Sequence, residues 1–126
     1  MRTRESTLWT WHLIAGAAIL VLLGIHMFIM HLGDFFGIVQ GDVLGWASVI
    51  ERSKEVAFVV IYVLLLGAAL YHGLYGLRTI IFELNIPERA ERVISVLFVL
   101  GGVALFIIGV YGTLVAYSYV APALGV

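Results

Sequence analysis

Three long apolar stretches, separated by two short polar segments, set the pattern of the chain: about Trp9 to Leu32, Val56 to Leu77 and Val93 to Tyr119. Each exceeds the roughly 20 residues that an α-helix needs to cross a hydrocarbon core of about 30 Å. The pattern predicts an all-α integral membrane fold, with three transmembrane helices in one domain spanning residues 1–126. Residues 1–8 read as a polar lead-in, with Ser6 or Thr7 as helix cap. In the first loop, Gly33, Gly37, Gly41 and Gly45 interrupt regular structure, and Asp34 and Asp42 keep it in water. Phe35, Phe36 and Trp46 are expected against the headgroups. Ser48 to Glu55 reads as a short helix or as the lead-in to the second span. The helical period of that span continues past Arg78 to Glu83. Asn85 and Pro87 then end it, and Pro87 is expected in the first turn of the third helix.

Spacing within each span picks out a packing face. On the first, His12, Gly16, Ile19, Leu23, His26 and Met30 alternate at four and three residues. Such a stripe packs against neighbours, so both histidines should face the bundle. Phe58, Leu65, Ala69, His72 and Gly76 form the corresponding stripe on the second helix. Gly101, Leu105, Gly109, Gly112 and Ala116 form a small-residue face on the third.

Composition narrows the function classes. The chain is 63% hydrophobic and 12% charged, with a mean hydropathy of +1.11. A soluble domain of this length cannot hide so much apolar surface. The first span is too long, and too rich in His and Trp, for a signal peptide. With no cysteine, disulfides, thiolate haem ligation, iron–sulfur clusters and covalent haem attachment are excluded. A net charge of −1 gives no basic face for nucleic acid. No carboxylate interrupts an apolar run, which argues against a transporter. Arg2, Arg4, Arg78, Arg89 and Arg92 lie at one end of the spans, against Arg52 and Lys54 at the other. The positive-inside rule therefore predicts the N-terminus and second loop inside, and the first loop and C-terminus outside.

His72 carries the most chemistry. It lies near the end of an uncharged run from Val56 to Leu77, where an unpaired imidazole costs several kcal/mol. Intramembrane ionisable groups are functional candidates by default. Gly73 and Gly76 offer room for a flat macrocycle, and Arg78 offers a cation for its propionates. That is the setting of a haem; the alternative is a histidine bonded to a carbonyl or hydroxyl of a neighbouring helix. At 1.5 Å per residue, His72 lies about 9 Å, His26 about 25 Å and His12 roughly 5 Å from the inner surface. His72 and His26 therefore cannot share one iron, and a second subunit is the expected source of opposing ligands. His26 is either a second haem ligand or a polar bridge to a partner helix. His12 is a propionate or quinone contact, or an interfacial side chain beside Trp11. His31 reads as interfacial, Arg78 as a propionate partner or a positive-inside anchor, and Glu83 as a solvated face residue in preference to a proton carrier at a quinone site.

These residues resemble a known family. Leu70-Tyr71-His72-Gly73-Leu74-Tyr75-Gly76-Leu77-Arg78, followed by Glu83, resembles the second-helix motif of the membrane-anchor subunits of succinate dehydrogenase and fumarate reductase, whose histidine is an axial haem b ligand. Leu23-Gly24-Ile25-His26-Met27-Phe28, with Gly33-Asp34 after it, is similar to the first helix of the di-haem anchors of menaquinone-linked fumarate reductases. There the histidine ligates the haem distal to the soluble subunits. Two departures stand out. Glu83 is followed by Leu84 rather than by the tyrosine that helps bind ubiquinone in mono-haem anchors, and single-chain di-haem anchors have five helices and four histidine ligands. The resemblance implies haem b, one or two per complex and shared with a partner chain, with His72 on the iron, His26 as candidate for a second iron, and Arg78 or His12 on propionates. It also implies a quinone substrate, a flavoprotein subunit, an iron–sulfur subunit, a second anchor subunit, and a multi-pass place in the cytoplasmic membrane of a prokaryote. The chain would serve an oxidoreductase without carrying group-transfer chemistry of its own. The alternative is a cofactor-free helix bundle in another membrane complex.

Overall fold

The computed structural model describes residues 2–32, 35–37, 45–53 and 55–120. Gly33, Asp34, Gly41, Asp42 and Lys54, and the side chains of Arg2, Arg4, Met30 and Trp46, lie outside what it describes. Helix α1 spans Arg2–Met27 and widens into a π-turn over Phe28–Leu32. A short helix α2 (Trp46–Ser53) precedes α3 (Val56–Phe82) and α4 (Glu88–Val120). Among the described residues there is no strand. Three segments, Glu5–Met27, Val56–Phe82 and Glu88–Ser118, are long and apolar enough to cross a membrane. They present bare hydrocarbon outward: Leu20 is 77% exposed, Val99 65% and Ile108 66%. Lipid is the solvent that makes such a surface stable.

The helix ends depart from the expected pattern in two places. Ser6 and Thr7 lie inside α1 rather than capping it, because no Gly or Pro stops the first polar turns from joining the helix. Pro87 precedes α4 rather than opening its first turn: its carbonyl accepts the Glu91 amide at 3.1 Å, which makes it the cap residue. Asn85 closes α3 with φ 54°, the left-handed conformation that suits a helix end.

Helix α3 is the centre of the bundle. It packs against α1 on one side and α4 on the other, while among the described residues α1 and α4 do not touch. Both pairings are antiparallel. Along the α1–α3 seam, His12 meets Gly76, Gly16 meets His72, and His26 meets Tyr62. His12, Gly16 and His26 of the predicted stripe therefore face the bundle. Phe58, His72 and Gly76 lie on the matching face of α3, whereas Ala69 is exposed.

The α3–α4 seam is a correction. Only Gly109 of the expected small-residue face packs against α3, where it abuts Leu66. The seam is built from Gly102 (2.7 Å from Leu74 to a Cβ placed there), Phe106 against Gly67, and Gly109. Gly101, Leu105, Gly112 and Ala116 are exposed. Leu74 and Leu66 project as ridges from α3 and select whichever glycines accept them, which a stripe read on α4 alone cannot reveal. Gly109→Leu is expected to overpack this seam by about 1–3 kcal/mol and lower the unfolding temperature in detergent. Gly112→Leu, on the open face, should leave it unchanged.

Candidate functional site

The antiparallel register of α1 and α3 brings two histidines together. The His12 and His72 rings stack with centroids 4.1 Å apart and planes at 6°. Each ring rests where the opposite helix has no side chain. A Cβ at Gly76 would lie 3.2 Å from His12 Cε1, and one at Gly16 would lie 3.0 Å from His72 Cε1. Trp9 stacks on His12 at 5.3 Å. His72 Nδ1–H donates to the His12 carbonyl oxygen at 3.1 Å. A carbonyl can only accept, so the proton is on Nδ1 and the lone pair is on Nε2. His12 Nδ1 is buried and has no hydrogen-bond partner among the described residues.

This arrangement bears on both readings of His72. The bond to a neighbouring backbone is there, yet it uses one nitrogen only. Metal-ligating histidines commonly donate their other ring N–H to a carbonyl in this way, which fixes the tautomer and aims the free nitrogen. Next along α3, Gly73 is exposed, and a Cβ there would meet nothing within 4 Å. The donor set therefore fits a haem: one imidazole with its Nδ1–H committed and its Nε2 lone pair left over, on a helix whose next residue leaves open space. Among the described residues no three His, Cys, Asp or Glu side chains converge on a bare ion, and a single imidazole suits a metal already held by a macrocycle. The stacked geometry also leaves no gap for a porphyrin between His12 and His72, so His12 does not oppose His72 on one iron.

Arg78 lies about 120° around α3 from His72 and faces a different space. Its Nε–H donates to Ser95 Oγ on α4 at 3.0 Å, and its guanidinium lies 4.2 Å over the Phe82 ring. Glu5 of α1 approaches Arg78 Nη1 only to 4.0 Å. With Glu5 58% exposed and Arg78 25% exposed, this pair is loose and contributes little. These residues form the polar mouth of a groove of about 540 Å³ between α1 and α4, floored by α3. Tyr71 and Tyr75 stand beside the mouth, and Leu74, Phe98 and Phe106 line the apolar depth. Tyr71 O–H is already spent on the Leu8 carbonyl at 2.9 Å. Neither His12 nor His72 lines this groove.

Further along the α1–α3 seam, His26 meets Tyr62 edge-on at 6.2 Å, beside Phe58 and Ile61. It lies about 21 Å of helix axis from His12, so the two histidine levels are separate. His31 is exposed within the π-turn. Glu83 caps the C-terminus of α3 and is exposed.

A family model for the succinate dehydrogenase/fumarate reductase transmembrane subunit matches residues 2–110. The chain belongs to this family. The anchor is 30% identical over 107 residues to the succinate dehydrogenase hydrophobic membrane anchor subunit of Archaeoglobus fulgidus, covering 85% of this chain and 86% of that one. It is also 30% identical over 107 residues to the protein of the same name from Thermoplasma acidophilum, covering 82% and 77% respectively. No solved structure matches the anchor.

Sequence reasoning found the histidines and Arg78 but missed Ser95, Glu5 and Trp9. For Ser95 the signal was present. The tight turn between Phe82 and Glu88 makes α3 and α4 antiparallel neighbours, with Arg78 four residues before the end of α3 and Ser95 seven after the start of α4, which puts the two within about one helical turn of the same level.

Proposed function

We propose that this anchor binds haem b through His72 and presents a quinone to the iron–sulfur and flavoprotein subunits of a succinate:quinone oxidoreductase. The observation that carries the reading is the His72 tautomer. Nδ1–H is committed to the His12 carbonyl, leaving the Nε2 lone pair to bind iron, and the next residue, Gly73, leaves open space on the helix. A bound haem would supply one-electron storage between the soluble redox centres and quinone. The protein supplies the ligand, its orientation and a low dielectric around both. The opposing ligand comes from the second anchor subunit. The N-terminus and the α3–α4 turn face the cytoplasm, following the basic residues, so the soluble subunits dock beside the Arg78 end. His26 is the candidate for a second haem at the other level.

The groove at Arg78 is the place for the quinone head. Ser95 Oγ accepts from Arg78 Nε–H, which leaves its own O–H to donate to a quinone oxygen. The terminal Arg78 nitrogens, held only loosely by Glu5, can donate to the same oxygen. Leu74, Phe98 and Phe106 would take the apolar tail. Succinate oxidation to fumarate releases two electrons and two protons, and the quinone takes up two of each to become quinol. Arg78 serves this site better than a propionate on the His72 haem, because it faces away from that seam. Arg78→Leu is expected to raise KM for quinone about tenfold or more, the loss of a charge-assisted hydrogen bond, while succinate oxidation by an artificial dye is unchanged.

One observation favours the cofactor-free reading: the carbonyl bond and the His12 stack already satisfy most of His72. A redox-titrated visible spectrum of the purified complex separates the two. A b-type band on reduction supports the anchor as haem protein, and one wave or two gives the haem count and with it the role of His26. A complex active with quinone but without that band leaves only the scaffold.

A further inference from the structure

We infer that His12 is a positioning residue for His72, acting through two parts of itself: its backbone carbonyl selects the tautomer, and its imidazole sets the plane of the ring. The inference rests on His72 being the haem ligand. The carbonyl bond at 3.1 Å determines which nitrogen is left to face a metal. It does not hold the ring plane by itself, because rotation of an imidazole about its Cβ–Cγ bond has broad wells. The parallel stack at 4.1 Å and 6° supplies that second constraint.

His12 is itself held on two sides. Trp9 stacks on it at 27°, and the missing side chain at Gly76 admits its Cε1 edge. Trp9 and His72 thus both stack on His12, Tyr75 leans on it at 5.3 Å and 45°, and Gly16 lies against the Cε1–Nδ1 edge of His72. Among the described residues, no hydrogen bond holds the His12 Nδ1 side of the ring in place. Its Nδ1 is buried without a partner among the described residues, so the ring is where it is because of stacking. For an iron-bound imidazole, the ring plane relative to the porphyrin and to the opposing ligand sets the ligand field. The ring of His12 thus tunes the haem without touching it.

The test uses the whole purified complex and the low-spin ferric EPR signal, whose lowest-field g value moves with the orientation of the axial ligand planes. His12→Ala keeps the carbonyl and removes the stack. It is expected to retain haem at near wild-type stoichiometry while shifting and broadening that g value. His12→Phe restores a flat ring and should bring the signal back toward wild type. An unchanged signal in His12→Ala overturns the inference. So does an equal shift in His12→Phe, which would assign the effect to the polar ring atoms instead. Should His12→Ala fail to assemble, Trp9→Ala decides. It removes one of the two aromatic supports of His12, and a shift in the same direction supports the role of the stacked His12 ring, whereas none refutes it. His72→Ala is the separate control. Retention of the wild-type haem signal there would sink the ligand reading itself, and the role of His12 with it.

Discussion

His72→Ala is expected to lower the haem b content of the purified complex by about tenfold or more, with the reduced b-type band falling in proportion. Losing an outer-shell partner of a metal ligand typically costs 10–100-fold in affinity, and here the proposed ligand itself is removed. Alanine also removes the bond from His72 to the His12 carbonyl, which keeps its helical donor, the Gly16 amide, so the lost hydrogen bond itself costs about 0.5–1.5 kcal/mol. Haem loss in His72→Ala alone therefore does not distinguish ligation from packing. His72→Gln separates the two effects. Its amide N–H can still reach the His12 carbonyl, while an amide is a poor iron ligand. A ligand role predicts haem loss in both variants, with the unfolding temperature lowered mainly in His72→Ala. A purely structural role predicts that His72→Gln resembles wild type in every respect. Retention of a wild-type spectrum by both variants would falsify axial ligation.

The sequence disclosed most where one helix alone determines the answer. Three spans follow from length and hydropathy, and the inward face of α1 follows from the spacing of His12, Gly16 and His26. It disclosed less where two helices decide together. On α4, two small-residue faces lie one residue apart, Gly101 with Gly112 and Gly102 with Gly109, and only Leu66 and Leu74 of α3 choose between them. The histidine stack is an intermediate case. Counting residues inward put His12 and His72 within about 4 Å of the same depth, but it took the antiparallel register to show them ring on ring. The groove was hidden for a different reason. Glu5, Arg78 and Ser95 come from three separate helices, and each taken singly is an ordinary polar residue near a membrane surface. Their meaning lies in α1 and α4 standing apart on either side of α3, which leaves room for a ligand.

Gly16→Leu should remove haem nearly as completely as His72→Ala, although residue 16 carries no chemistry. A Cβ there would lie 3.0 Å from His72 Cε1 and 3.2 Å from Nδ1, and the further carbons of leucine need the volume the ring occupies. Relief can come in two ways. The ring can turn out of its seat, breaking the bond to the His12 carbonyl and misdirecting Nε2. Alternatively, α1 and α3 can move apart, which the tight contact of His12 on Gly76 in the same seam makes costly. Overpacking of this kind typically costs about 1–3 kcal/mol, so the protein should still assemble in the membrane, with a lower unfolding temperature and an empty haem site. Gly24→Leu is the matched control on the same helix. Gly24 is exposed, and a Cβ there meets nothing within 4 Å, so that variant should keep both haem and stability. Equal haem content in Gly16→Leu and Gly24→Leu, measured by pyridine haemochrome per mole of complex, would mean that the seat of the His72 ring has no part in holding the cofactor.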